Sequence, residues 1–181
     1  MDFRDRPIAI TDLETTGLDC RRHEIIEIGL LLVRQKSLEI FDSWAMKVKP
    51  VHIETANAEA LRINGWNAQE WKDATCLRDA LEVYSKKTHG AIFLSQNITF
   101  DWLFLDQAFE STGVPDLLDY HRLDLPTMSW LFSRRRQDLT RLNLKELCRF
   151  FNIGEEPMPH RAIHGARRAY EVLKKIDEAN R

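Results

Sequence analysis

An α/β fold, a mixed sheet flanked by helices, is predicted by three observations. Three β-rich runs come first, Pro7 to Thr11, Glu24 to Val33 and Leu38 to Val48. Their connections are short, which favours antiparallel neighbours, because a parallel crossover needs about a dozen residues or more. Beyond Thr55 helical periodicity takes over, interrupted by short apolar strands, the order that adds parallel strands with helices packed around the sheet.

Each element has its own signal. "PIAIT" is a short buried strand that ends at the polar "DLETTG", and "EIIEIGLLLV" is a second, longer one. "LEIFDSWAMKV" alternates enough for a third. Helices are expected over Thr55 to Ile63 and Leu77 to Lys87. A buried strand from Ala91 to Ser95 leads into a helix from about Phe100 to Ser111, closed by Gly113 and Pro115. "HRLDL" is a further strand, and Leu125 to Phe132 is a helix with Pro126 in its first turn, where proline is tolerated. Leu142, Leu144, Leu147, Phe150 and Phe151 mark another helical face, and the last helix runs from near Pro159 to about Ala179. No repeat, low-complexity tract or linker divides the chain, so residues 1–181 are expected to form one domain.

Composition narrows the class. Of 181 residues, 44% are apolar and 30% charged, which fits a globular chain and excludes a disordered one. The net charge of -2 shows no global basic field, although a cluster of active-site acids would itself lower the total. Cys20, Cys76 and Cys148 are odd in number and widely spaced, which points to reduced thiols and a cytoplasmic setting. "MDFRDRP" lacks the apolar core of a signal peptide, and no apolar run is long enough to span a bilayer, so no membrane partner is expected.

Three stretches carry chemistry. Asp12 and Glu14 are two apart at the end of the first strand, so their carboxylates point to one side and invite a divalent cation. "TTGL" follows, a tight turn whose backbone would approach a ligand closely. In "SQNITFDWLFL" a buried strand leads through Asn97 to Phe100 and Asp101 at the opening of a helix. His160 stands immediately before the last helix. Taken singly, each has an ordinary structural explanation: solvated acids, a favourable charge on a helix dipole, a surface histidine.

Together these stretches resemble the DEDDh family of 3′→5′ exonucleases, ribonuclease-H-like nucleases that include polymerase proofreading subunits, ribonuclease T and oligoribonuclease. "ITDLETTGLD" is similar to the first family motif, "NITFDWLFL" to the second, N-x-x-F-D-x-x-F-L, and "HRAIHGARRAYEVL" to the third, H-x-A-x-x-D-A. "EALRINGW" looks like the family segment that lies near the bound nucleotide. The resemblance spans nearly the whole chain. It implies a ribonuclease-H-like sheet, in which Asp12, Glu14 and Asp101 hold two Mg²⁺ or Mn²⁺ ions about 3.5–4 Å apart. It implies His160 as the general base, a task suited to the side chain type that changes charge near neutral pH. Thr15, Thr16 and Gly17 would contact the 3′-terminal nucleotide of a single strand through their backbone, near Asn97, with Leu18 and Phe100 supporting a base.

One departure stands out. With His160, Ala162 and Ala166 in register, the family's fourth metal-binding aspartate falls at Gly165, which has no side chain to offer. The expectation is an exonuclease with weakened metal binding. His164, Arg168, Glu171 and Lys175 fall on a polar face of the last helix, so His164 is expected to be solvated and poorly aimed as a substitute. Two other readings remain. One is a catalytically impaired exonuclease fold that binds nucleic-acid ends or a replication or repair partner, including a polymerase. The other is a protein-interaction module anchored by tryptophans from among Trp44, Trp66, Trp71, Trp102 and Trp130. "SRRRQDLTR", Ser133 to Arg141, is the densest basic stretch, either a solvated segment or a phosphate contact.

Overall fold

The computed structural model describes residues 2–180. The strands are β1 (Pro7–Thr15), β2 (Ile25–Arg34), β3 (Ile40–Lys47), β4 (Ile92–Ser95) and β5 (Arg122–Asp124). They form one mixed sheet in the order β3-β2-β1-β4-β5. The β1–β2 and β2–β3 pairs are antiparallel, whereas β1–β4 and β4–β5 are parallel, as a meander followed by crossover units requires. The helices are α1 (Ala58–Asn64), α2 (Leu77–Lys87), α3 (Ile98–Thr112), α4 (Leu125–Ser133), α5 (Leu144–Phe150) and α6 (Ala162–Ala179).

Both faces of the sheet are covered. On one face Ala9, Leu13, Leu30, Leu32 and Phe93 pack with Leu81 and Tyr84 of α2 and Phe104 and Leu105 of α3. On the other, Ile8, Ile10, Leu31, Val33 and Leu94 meet Leu125 of α4, Leu147 of α5 and Ala169, Val172 and Ile176 of α6. Two-sided burial is why β2 is an almost unbroken apolar run.

Alternation along the strands decides which acids share a face. Ile8 and Ile10 face α6, so Asp12 and Glu14 continue the same face of β1. Leu31 and Val33 face α6 from β2, so Gly29 and Glu27 continue theirs, opposite Asp12 and Glu14 respectively. Glycine is required at 29: a Cβ there would stand 2.2 Å from the Ala162 carbonyl carbon, within the first turn of α6.

Three boundaries differ from expectation, each for a tertiary reason. β1 continues to Thr15 instead of ending at Thr11, because residues 12–15 keep their ladder with β2. The helix expected over Thr55 to Ile63 divides into a 3-10 turn, Ile53–Thr55, and α1, whose start is capped by the Asn57 side chain accepting from Glu59 and Ala60 N–H groups. The last helix begins at Ala162, not near Pro159, since the His160 N–H donates to the Ile63 carbonyl at 3.0 Å and Arg161 is extended.

The tryptophans are mostly packed. Trp71 is buried and donates Nε1–H to the Ile26 carbonyl, Trp44, Trp66 and Trp102 are half-buried, and Trp130 is exposed. The basic stretch forms an exposed connection between α4 and α5, where Arg136 pairs with Asp138 at 3.1 Å. Among the described residues no helix is long and apolar enough to cross a membrane.

Candidate active site

The site lies at the carboxyl end of β1, where its two neighbours part. Pairing with β4 ends at Ile10, since β4 gives way to α3 after Ser95. That frees the edge of β1 beyond Ile10, and the first turn of α3 fills the gap with Asp101. Asp101 is 3% exposed, and backbone N–H groups, including that of Leu13, face its carboxylate. Crevices of this kind, beyond strand ends where connections diverge, are the usual ligand sites of α/β sheets.

Asp12, Glu14 and Asp101 influence one another electrostatically at this end of the sheet. Burial raises Asp12 well above the usual carboxylate range, and the nearby charges of Asp101, Glu14, Glu156 and Glu27 push it further. Glu14 is pushed up to about 8, chiefly by burial and then by Glu156 and Glu27, with Arg161 opposing. Asp101 rises to about 7, mainly through burial, against the pull of the polar groups around it. So much negative charge, partly withheld from water, is costly unless positive charge joins it. The donors are hard carboxylate oxygens, which suit Mg²⁺ or Mn²⁺. Glu27 adds to the case: it is 4% exposed and its Oε2 is buried with no partner among the described residues.

His160 stands over this cleft on a tethered segment. Besides its own bond to Ile63, the Arg161 guanidinium donates to the Asn64 carbonyl and to Glu70 Oε2, the latter at 2.8 Å. Gly65 closes α1 in the left-handed conformation, φ 63°, and a Cβ there would meet Pro159 at 2.7 Å. The imidazole Nδ1 lies 3.8 Å from Glu156 Oε2.

Beside the acids is a groove of about 390 Å³ lined by Glu14, Thr15, Gly17, Leu18, Asn64 and Phe100, among others. Leu18 is 85% exposed at its rim. Gly17 needs its missing side chain, because a Cβ would fall 2.5 Å from the His23 ring. Thr15 lends its hydroxyl to the Gly17 carbonyl at 2.7 Å and its own carbonyl to Asn64 Nδ2 at 3.1 Å. Thr16 departs from expectation: it is fully buried, its N–H bonds Glu24, its carbonyl accepts from Asn57, and its hydroxyl accepts from the Glu24 N–H. It braces the turn from beneath the groove. Asn97 is exposed at the start of α3, and its carbonyl accepts from the Phe100 and Asp101 N–H groups.

Gly165 lies against the acids. A Cβ built on it would come 2.4 Å from Asp12 Oδ2. The solvated His164 expected from the helical pattern is corrected: the residue is half-buried and its Nδ1 is enclosed without a partner among the described residues. The segment preceding α6 folds back over this side of the helix and carries Glu156, whose charge faces both His160 and His164. Sequence reasoning misses Glu156; an acid four residues before the histidine in "EEPMPH" is its only trace. It misses Glu27 as well, although a lone charge within an apolar strand is a legible signal.

Comparisons with known proteins show the family and the fold. The exonuclease family RNase_T matches residues 9–173. Protein NEN1 of Arabidopsis thaliana is 30% identical over 178 residues, a match that takes in 96% of this chain and 37% of NEN1. The PolC-type DNA polymerase III of Caldanaerobacter subterraneus subsp. tengcongensis is 26% identical over 170 residues, or 93% of this chain and 11% of the polymerase. The chain thus spans about a third of the one and about a tenth of the other. In fold it is similar to the nuclease domain of 3′hExo, a DEDDh family member solved with bound rAMP, at TM-score 0.76 and 18% identity, covering 98% of this chain and 94% of that one. Exonuclease I of E. coli, solved with a dA16 oligonucleotide, superposes at TM-score 0.80 with 16% identity, over 96% of this chain and 41% of that one.

Proposed function

This chain belongs to the RNase_T exonuclease family, and from that premise we propose that it removes nucleotides from the 3′ ends of single-stranded nucleic acid by metal-dependent hydrolysis. The reading is supported by the mutual electrostatic influence of Asp12, Glu14 and Asp101 at the end of β1, where Glu14 and His160 approach within 4.8 Å and the groove opens alongside. Asp12, Glu14 and Asp101 would hold two Mg²⁺ or Mn²⁺ ions, which supply charge stabilisation at the attacking and leaving oxygens of the phosphodiester. His160 takes the proton released by the attacking water. Leu18 and Phe100 offer apolar surface to the terminal base, and Gly17 lets the chain approach it closely.

Gly165 leaves α6 without a donor, so the ions would have fewer protein ligands than the family pattern provides unless another residue intervenes. Nucleic-acid neighbours of both sugar types occur among the similar folds, rAMP with 3′hExo and dA16 with exonuclease I. Residues 1–181 would act as one exonuclease domain, and the similarity to PolC supports polymerase association as a setting for it. The free thiols of Cys20, Cys76 and Cys148 support a cytoplasmic location.

The test uses matched DNA and RNA oligomers labelled at either end, digested with Mg²⁺, Mn²⁺ or chelator. Stepwise shortening from the 3′ end, lost with chelator and in His160→Ala, is expected. Shortening from the 5′ end, or binding without any cleavage in either metal, would overturn the proposal.

A further inference from the structure

We propose that Glu156 supplies the carboxylate that α6 lacks at Gly165, so that the cation site is built from Asp12, Glu14, Asp101 and Glu156. The inference rests on the function proposed above and adds a ligand that the family motifs do not contain.

Placement is the first argument. Oxygen atoms of Glu14 and Glu156 and a ring nitrogen of His160 all lie within 4.8 Å of one another, close enough for one ion to bridge. Glu156 and Glu155 are neighbours with different fates. The Glu156 side chain is 16% exposed and turned toward His160, whereas that of Glu155 is 63% exposed and lies 4.0 Å from Lys145 on the outside. The Arg161 N–H faces the Glu156 carboxylate from the start of α6.

The second argument is the space at Gly165. With a Cβ there only 2.4 Å from Asp12 Oδ2, the Asp12 carboxylate rests against the bare helix at Gly165, in space that a side chain from α6 would share. Glycine itself supplies no donor there, and the segment preceding α6 brings Glu156 to the same side. Glutamate has one methylene more than aspartate, the extra reach that a donor from a covering loop needs.

The third argument is independent of Glu156. Glu27, opposite Glu14 on β2, keeps a buried Oε2 without a partner among the described residues. The Ala162 N–H and the charges of Arg161 and Lys47 face this carboxylate, and its unpaired Oε2 still leaves negative charge beside Asp12 and Glu14. Glu156 would add a fourth ligand carboxylate to Asp12, Glu14 and Asp101, with Glu27 behind them as further negative charge.

The experiment titrates Mn²⁺ calorimetrically into the metal-free chain and follows the rise in melting temperature that Mn²⁺ produces. Glu156→Gln, Glu155→Gln and Asp12→Asn are compared with the unaltered protein, each first checked for native circular dichroism without metal. Glu156→Gln keeps the side-chain volume and is expected to weaken Mn²⁺ binding by about 10-fold or more, with most of the thermal stabilisation lost. Glu155→Gln is expected to bind as the unaltered chain does. Equal weakening by both glutamine variants would reveal a diffuse field effect and overturn the proposal. So would unchanged Mn²⁺ binding in Glu156→Gln beside a loss in Asp12→Asn; the acid site would then stand and Glu156 would fall away. Unchanged affinity with a shifted pH profile of cleavage would make Glu156 a positioning residue for His160, also against the proposal. If the unaltered chain bound no Mn²⁺, or Asp12→Asn bound it equally well, the function itself would be wrong.

Discussion

The face that β1 presents to α6 is divided in two. Its first half, Ile8 and Ile10, meets Ala169, Val172 and Ile176 in a dry core. Its second half, Asp12 and Glu14, meets the opening of the same helix across Gly165 and the segment that carries Arg161 and His160. Strand, helix and alternation are shared, yet the energetics are opposed. Each large apolar side chain in the dry half stabilises the fold by about 1.5–3 kcal/mol. Each acid in the charged half loses hydration and gains like-charged neighbours. The lesson is that an acidic cleft of this type is a region of negative stability held in shape by the ordinary core continuous with it.

That contrast can be broken in order of expected effect. Asp12→Asn should lower the cleavage rate by about 10³-fold or more, on the scale seen when one member of a catalytic set is removed. At alkaline pH without metal the same variant should melt at a higher temperature than the parent, because the charge that Asp12 would carry there, facing Asp101, Glu14 and Glu156, is gone. Ile10→Ala, two residues earlier on the same face, should do the reverse: a loss of about 2–5 kcal/mol in urea unfolding, with Mn²⁺ affinity of the folded fraction unchanged.

A smaller effect is read from pH. Glu14 at about 8 and Asp101 at about 7 lie above their ordinary values of 4.5 and 3.8. Both hold protons in the folded chain that the unfolded chain has released, so their contribution to stability is complete below about pH 4 and is lost as pH rises through 7 and 8. Metal-free protein should therefore melt several degrees lower at pH 8 than at pH 5, and saturating Mg²⁺ should remove the difference. A flat profile without metal would mean that the carboxylates are solvated. Smallest is Gly165→Ala. Alanine gains about 1 kcal/mol of helix propensity, offset by displacement of the Asp12 carboxylate, so urea stability should change little while cleavage falls several-fold.

Local patterns make most of the framework legible. α2 spans Leu77–Lys87 as its periodicity and closing lysines indicate, and the order of meander and crossover units follows from run lengths. Asp12 and Glu14 can be placed on one side because strand alternation is local. The features that sequence patterns miss depend on distant segments. β1 runs past Thr11 because β2 pairs with it, and α6 starts late because Ile63 captures the His160 N–H. His164 reads as solvated because helical periodicity says nothing of a loop returning over that face, and Glu156 is hidden for the same reason. Thr16 sits in the right turn, but its polar groups are consumed beneath it by Glu24 and Asn57.

The joint between α1 and the histidine segment has a mechanical consequence. Ile63 and Asn64 form part of the groove wall, and the carbonyls of these two residues are the ones that grip His160 and Arg161. Under the proposed function, a nucleotide that presses on that wall would pull on the histidine segment through one main-chain bond, from the His160 N–H, and one bond from the Arg161 guanidinium. Seating the terminal residue and aligning the proton acceptor would then be a single movement, with α1 as the lever.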